Sequence, residues 1–283
     1  MQTSAEIDVT SAWSALRGLP GHIAARGLPL DLPVDSGAWL TVERDGSWST
    51  NATISAEAGE LLDLYVPLCL RGSHCVFAQL GQSLDGRIAT ESGASRYITG
   101  PEDLLHLHRL RALADAVVIG AGTATSDDPA LTVRRTDGEN PTRVIVDTHG
   151  RVPEHLGVFH DRAAPTLLLH PADQPRETPG VAECVAVPRT RDGLAPAAII
   201  GVLAERGLGR ILVEGGGITV SRFLAAGLLD RLHVTVAPLI IGSGREAFTL
   251  PTIDSLDAAR RPSCRRFDMG ADVLFDLAPG VQA

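Results

Sequence analysis

The sequence predicts an α/β protein, a mostly parallel sheet covered by helices on both faces, with a small hairpin and helix module in front of it. Two patterns predict the sheet. From about Ser73 onward apolar runs recur, as strands covered on both faces require, and helix-like segments separate them. A third observation sets the first seventy or so residues apart. Residues 38–49, AWLTVERDGSWS, alternate apolar and polar side chains around Asp45-Gly46, the signal for a hairpin with a tight turn.

After the hairpin, AEAGELLDLYVPLCLR places Leu61, Leu62, Leu64 and Tyr65 on a short amphipathic helix that Pro67 is expected to end. The strands predicted beyond it are VFAQL (76–80), DAVVIG (115–120), RVIVD (143–147), PTLLLH (165–170), RILVEGG (210–216), RLHVTVAPLII (231–241) and DVLFDL (272–277). Helices are predicted at 101–114, 194–207 and 218–227. The first opens with Pro101 and sets Glu102 and Asp103 beside its positive end, and the third closes on Gly227. No repeat or long linker interrupts this part, so the expected domains are a module at 1–72 and one domain at 73–283.

At 283 residues and 44% hydrophobic content, the chain can bury one sizeable core. Its net charge of -9 leaves no electrostatic footprint for nucleic acid or anionic lipid. All 25 basic residues are arginines, so lysine Schiff bases and lysine general bases have no residue to use. Arginines suit bidentate recognition of anions instead. Cys69, Cys75, Cys184 and Cys264 lack the close pairing of zinc and redox motifs and read as thiols of a reducing compartment. Without a signal-like start or a run of membrane-span length, the chain is expected in the cytoplasm, with no nucleic-acid or membrane partner.

The stretch VEGGGITVSRFL (213–224) sets three glycines between a buried strand and a helix, where free backbone N–H groups and the positive helix end can face a pyrophosphate. Ser221 and Arg222 can add contacts, although the glycines are not spaced as in the dinucleotide fingerprint. A tight strand-to-helix turn without ligand is the alternative reading. Glu214, at the end of an apolar strand, is costly to bury alone and is expected to face a ligand or an arginine. The segment GAGTATSDDPALTVR (120–134) reads as a loop at a strand end, carrying Thr123, Asp127, Asp128 and Arg134. Its paired aspartates before a proline also suit a plain turn. Arg109 and Arg111 fall on different sides of their helix, as do His106 and His108, which therefore cannot share a metal. No HExxH cluster and no G-x-S-x-G elbow occurs, so no metal is expected and hydrolase chemistry has no nucleophile.

Taken together, SLDGRIA (83–89), Ser95 to Thr99, HRLRALADAVVIGAGT (108–123), DDPALTVR (127–134), ILVEGGGITVSRFL and LLDRLHVTVAPLIIGSG resemble one family in order and spacing. They are similar to the reductase domain of riboflavin biosynthesis, the 5-amino-6-(5-phosphoribosylamino)uracil reductases, over about residues 74–279. The resemblance implies a three-layer dihydrofolate-reductase-like fold, an NADPH-dependent reduction of a phosphoribosylamino-pyrimidine, and a homodimer. It implies substrate contacts from Ser95, Arg111, Leu131, Arg134 and Glu214, and from the Gln79 position. To NADPH it assigns Gly81, Tyr97, Thr123, Asp127, Thr148 and the turn formed by Gly216, Gly217, Ile218, Thr219, Val220, Ser221 and Arg222.

Three departures stand out. Many bacterial members carry Lys where this chain has Gln79, and Trp where it has Tyr97. The first 72 residues hold no H-x-E and P-C-x-x-C zinc motif, so deamination is not expected. Two other readings keep the fold: a reductase of a related secondary-metabolite or pteridine substrate, and a catalytically silent binding paralogue. Leu84 and Ile88 are expected to pack, and Thr148 with Arg151 is the candidate partner of a cofactor 2′-phosphate.

Overall fold

The computed structural model describes residues 6–34 and 37–280. Two compact units divide the chain, Met1–Cys75 and Val76–Ala283.

The first unit opens with α1 (Val9–Arg26), capped by Asp8, whose carboxylate accepts the Ser11 N–H at 2.8 Å. Sequence patterning missed this helix because Gly18, Pro20 and Gly21 interrupt its apolar stripe. The stripe is nonetheless buried, with Leu16 and Leu19 fully enclosed and Trp13 edge-on to Tyr65 at 5.6 Å between ring centroids. The predicted hairpin is present as β2 (Trp39–Val42) and β3 (Trp48–Thr50), with β1 (Leu30–Pro33) added antiparallel on the other side of β2. Gly46 makes its turn at φ +86°. α2 (Ala56–Cys69) runs two residues past Pro67, which therefore sits inside the last turn instead of ending the helix.

The second unit is built on a nine-stranded sheet. Its strands are β4 (Cys75–Ser83), β5 (Ala116–Gly120), β6 (Thr142–Val146), β7 (Thr166–Pro171), β8 (Glu183–Val187), β9 (Arg210–Glu214), β10 (Arg231–Ala237), β11 (Ser263–Met269) and β12 (Asp272–Ala278). Their spatial order is β8-β7-β6-β5-β9-β4-β10-β12-β11. Strands β8, β7, β6, β5 and β9 run parallel to one another, β4 and β10 run parallel to each other, and β12 is antiparallel to both β10 and β11. Sequence reading missed β8 and β11 at the two edges, and β11 is mostly exposed and charged, with no apolar run to betray it. β10 stops at Ala237 and not at Ile241, because Pro238 has no N–H for the ladder.

Four helices accompany the sheet: α3 (Pro101–Ala112), α4 (Ala121–Asp127), α5 (Pro196–Ala204) and α6 (Gly217–Ala225). Successive strand residues point to opposite faces, and the two faces differ in chemistry. On one, Val76, Ala78, Leu80, Val144, Ile211 and Val213 pack in a single apolar cluster with Ile199 and Leu203 of α5 and Val220 and Phe223 of α6. On the other, β4, β9, β10 and β12 turn Gln79, Glu214, His233, Thr235 and Asp276 toward α3, and all five are buried. One face thus packs as an apolar core, and the other sets these polar groups among buried apolar residues such as Phe77, Val117 and Leu212. Because Leu203 is fully enclosed, Leu203→Ala is expected to cost about 2–5 kcal/mol, read as a lower urea midpoint at unchanged slope.

Candidate active site

A cavity of about 780 Å³ opens at the ends of β4, β5, β6 and β9. This is where ligands bind in open α/β sheets, and the volume suits a cofactor with a small substrate. Two helices begin at it. α4 starts directly after Gly120, and α6 after Gly216, so the unpaired N–H groups of both first turns meet at one side of the cavity. The sequence reading treated 121–127 as loop. Its run of small residues carries no apolar stripe, and only Asp128, in the left-handed region at φ +38° just past the helix, marks its end.

The glycine turn between β9 and α6 leaves no room for side chains. Gly216 has φ +39°, and a Cβ there would lie 2.7 Å from Thr123 Oγ1. A Cβ on Gly217 would come within 2.4 Å of the Glu246 carbonyl oxygen. Residues 244–246 pair antiparallel with 87–90, which brings Arg245 and Glu246 to the cavity. The preceding loop is pinned by Asp85, which accepts hydrogen bonds from Ser83 Oγ at 2.6 Å and from the N–H groups of Ile241 and Gly242. Those bonds lower its pKa to about 2. The motif SLDG is therefore a turn lock, with Leu84 exposed rather than packed and Ile88 on the cavity wall.

Most of the residues singled out from sequence meet at this cavity: Gln79, Gly81, Ser95, Thr123, Asp127 and Thr148 line it, as do Gly216, Gly217, Ile218, Thr219 and Arg222. Arg222 is already engaged, donating to the carbonyls of Asp192 and Leu194 at 2.8 Å. His149 and Arg151 join Thr148 at the wall, and Arg151 was legible only as its neighbour. Three residues assigned to the cofactor lie elsewhere. Tyr97 is 93% exposed, at φ +64°. Val220 belongs to the apolar core, and Ser221 is buried with its Oγ accepting the Thr249 N–H, because the helical repeat turns both away from the cavity.

The residues assigned to substrate divide as well. Arg111 and Glu214 form a buried bidentate pair, Nε to Oε1 at 2.6 Å and Nη2 to Oε2 at 2.7 Å, and Arg111 Nη1 donates to the Thr132 carbonyl at 3.1 Å. Burial alone would lower the Arg111 pKa, but Glu214 raises it, so the guanidinium stays charged. Glu214 thus faces an arginine, the second of the partners expected for it. Leu131, between α4 and this pair, is buried in the left-handed region at φ +54°, a strained state for a leucine. Arg134 is exposed and donates to Thr132 Oγ1 at 2.5 Å, and none of Arg111, Leu131, Arg134 and Glu214 is among the residues that line the cavity. Asp127 lines the cavity with its pKa raised by burial, against a hydrogen bond from Ser95 and the charges of Arg245 and Arg96.

The polar layer under α3 was not foreseen as a unit. Asp103 accepts Thr235 Oγ1 at 2.6 Å and the Gln79 amide at 3.2 and 3.3 Å. One turn on, His106 stacks on His233 at 5.0 Å, and His233 lies 3.2 Å from Asp276, which Arg231 and Arg265 also engage. Burial pushes the Asp276 pKa up, but His233 and the arginines outweigh it and hold it well below the carboxylate range.

A sheet of this order, with a cavity at its strand ends and a glycine turn leading into a helix, is the dihydrofolate-reductase-like fold expected, and relatives named as reductases make the protein an oxidoreductase. More particularly, the chain belongs to the RibD C-terminal domain family, which it matches over residues 74–270. It is 38% identical over 216 residues to the 2,5-diamino-6-ribosylamino-4(3H)-pyrimidinone 5′-phosphate reductase of Methanothermobacter thermautotrophicus, covering 71% of this chain and 96% of that one. It is 30% identical over 244 residues to riboflavin biosynthesis protein RibD of Escherichia coli, covering 81% and 66%. Among solved structures, a deaminase/5-amino-6-(5-phosphoribosylamino)uracil reductase from Thermotoga maritima shares the fold with a TM-score of 0.64 at 24% identity, over 80% of this chain and 64% of that one. The riboflavin biosynthesis reductase Rib7 of Saccharomyces cerevisiae shares it with a TM-score of 0.59 at 20% identity, over 72% and 89%. Among the described residues, no helix is long and apolar enough to cross a membrane.

Two outcomes follow from the site. Arg111→Ala would strand a buried carboxylate and is expected to cost about 3–5 kcal/mol in urea unfolding. Arg111→Met paired with Glu214→Leu should recover most of it. The second concerns His108, which accepts the Arg134 N–H on Nδ1 at 3.0 Å and so must be neutral there. Burial, with Arg111, Arg134 and Arg135, lowers its pKa from 6.5 to about 4. Between these values the unfolded chain binds the proton and the folded one does not, so stability falls as pH drops through that window. His108→Asn keeps an acceptor without the titration and should flatten the fall in the urea midpoint between about pH 7 and pH 5.

Proposed function

We propose that the protein is an NADPH-dependent reductase of a ribosylamino-pyrimidine 5′-phosphate, of the riboflavin-biosynthesis type, and that residues 73–283 carry the activity. The observation behind this reading is the side-chain-free turn at Gly216 and Gly217, which brings the α6 N-terminus to the cavity where α4 also begins, as a pyrophosphate needs. Thr123, Thr219 and the α6 turn would hold the pyrophosphate, and Thr148 with Arg151 would take the 2′-phosphate that separates NADPH from NADH. Gly81 lines the cavity, and a Cβ there would meet Thr99 Cγ2 at 2.9 Å, so the strand has no room for a side chain at that position. When bound, the cofactor would supply a hydride to the anomeric carbon of the opened ribosylimino group while a proton from solvent goes to its nitrogen, giving a ribitylamino pyrimidine and the oxidised cofactor.

The chain's own contribution is placement. Ser95 and Asp127 lie on the wall, Arg134 offers an unshielded guanidinium for the substrate phosphate, and the Arg111–Glu214 pair with Leu131 fixes the segment that carries Arg134. We assign the protein to the cytoplasm and infer a homodimer. The dimer is supported by the sheet face over β10 and β12 opposite α3, where Val236, Phe248, Phe275 and Leu277 are only partly buried around a groove.

Nicotinamide absorbance should fall when protein, NADPH and the ribosylamino-pyrimidine phosphate are mixed, and NADPH binding without turnover of any such substrate would overturn the reading. Arg134→Ala is expected to raise KM for the phosphorylated substrate by about one to two decades, as loss of a charge-assisted contact worth ~1.5–3 kcal/mol implies, with KM for NADPH unchanged.

A further inference from the structure

Asp147 follows β6 directly and belongs to the cavity wall with Thr148, His149 and Arg151, yet its side chain is fully buried. Its Oδ1 accepts the Arg151 N–H at 2.9 Å and its Oδ2 the Val152 N–H at 3.1 Å, so this carboxylate closes the turn that presents its neighbours. Such a lock brings a conflict of charge. A carboxylate just past a sheet strand is what dinucleotide folds use to hold a ribose 2′-hydroxyl, and it repels a phosphate at the same place. Arg176 meets it from the segment after β7, donating through Nη1 to Asp147 Oδ2 and through Nη2 to the Val152 carbonyl. That segment is tied down in turn, since Nδ1 of the buried His170 lies 3.1 Å from the Gln174 carbonyl oxygen. The Arg176 side chain is 12% exposed, so water screens the pair little. Asp147 and Arg151 cancel in formal charge, and it is Arg176 that leaves the turn cationic.

We propose that Arg176 sets cofactor specificity as a charge clamp: it neutralises Asp147, so that the turn admits a 2′-phosphate where the bare carboxylate would favour a 2′-hydroxyl. The inference rests on the function proposed above, in which Thr148 and Arg151 take the 2′-phosphate. Asp147 cannot simply be absent, because its two oxygens hold the backbone of the turn. The chain therefore keeps the carboxylate and cancels its charge from 29 positions away. Arg176 works through Asp147 and the Val152 carbonyl, which makes it a positioning residue.

The test reads binding and not turnover. Dissociation constants of the full chain for NADPH and NADH are measured by calorimetry, with 2′,5′-ADP and 5′-AMP as fragments that differ only in the 2′-phosphate. The wild type is expected to prefer the 2′-phosphorylated member of each pair. Arg176→Gln leaves Asp147 a neutral donor, so the turn stays closed, and should cut that preference by about ten- to a hundredfold, the scale of one charge-assisted contact, while NADH affinity holds or rises. Arg176→Lys should keep most of the preference. Adding Asp147→Asn to Arg176→Gln removes the charge that needs cancelling and should restore it. A merely structural Arg176 would weaken NADPH and NADH alike in the Gln variant. That result, an unmoved preference, a double variant that does not recover, or a wild type that binds both cofactors equally overturns the clamp alone. A wild type that binds neither cofactor overturns the proposed function, and this inference with it.

Discussion

Taking a guanidinium and a carboxylate out of water together costs several kcal/mol per ion, and only good geometry offsets it. Arg111 and Glu214 meet that condition, with two parallel hydrogen bonds across the space between α3 and β9. β9 stands at the centre of the sheet, between β5 and β4, so the pair fixes the helix against the middle of the sheet. The third bond, to the Thr132 carbonyl, ties in the chain that leaves α4. Helix, sheet and the segment bearing Arg134 are thereby held in one register. A pair of this kind is weak evidence for stability, and its use here is to permit a single arrangement of the elements that border the cavity.

The same division of labour runs through the second unit. The face toward α5 and α6 is apolar and supplies cohesion through area, which is indifferent to direction. The face toward α3 also carries polar groups, set among buried residues such as Phe77 and Leu212 and held by partners at set distances and angles. Gln79, Asp103 and Thr235 form one such set, and His106, His233 and Asp276 the next, one helical turn along. Direction matters in these sets, so they can orient a side chain at the cavity in a way that a packed leucine cannot.

What could be read from the sequence followed where a pattern is local. The parallel strands were visible as apolar runs because both their faces are covered, and the glycine turn because a strand, three glycines and a helix adjoin in the chain. Edge strand β11 was not, since exposure removes the pattern, and neither was α1, whose stripe is broken by glycine and proline. Within the site, residues on one loop were found together. Glu214 could be expected to need a partner, but its being Arg111 depends on a contact across 103 positions of chain. Asp103 read only as a favourable charge at a helix start, and its hold on Gln79 comes from strand register and helix placement together. Tyr97, Val220 and Ser221 were placed at the cavity by their neighbours in the chain, and local geometry turns each of them elsewhere.

Gly216 and Gly217 invert the usual relation between a site and its side chains. The surface offered to a ligand there is backbone: a Cβ at Gly216 would press on Thr123 Oγ1, and one at Gly217 on the Glu246 carbonyl against which the turn packs. Such a surface cannot be weakened by truncation, since there is nothing to remove. It is closed by a single methyl group, so the substitution normally used to delete a contact would here obstruct one.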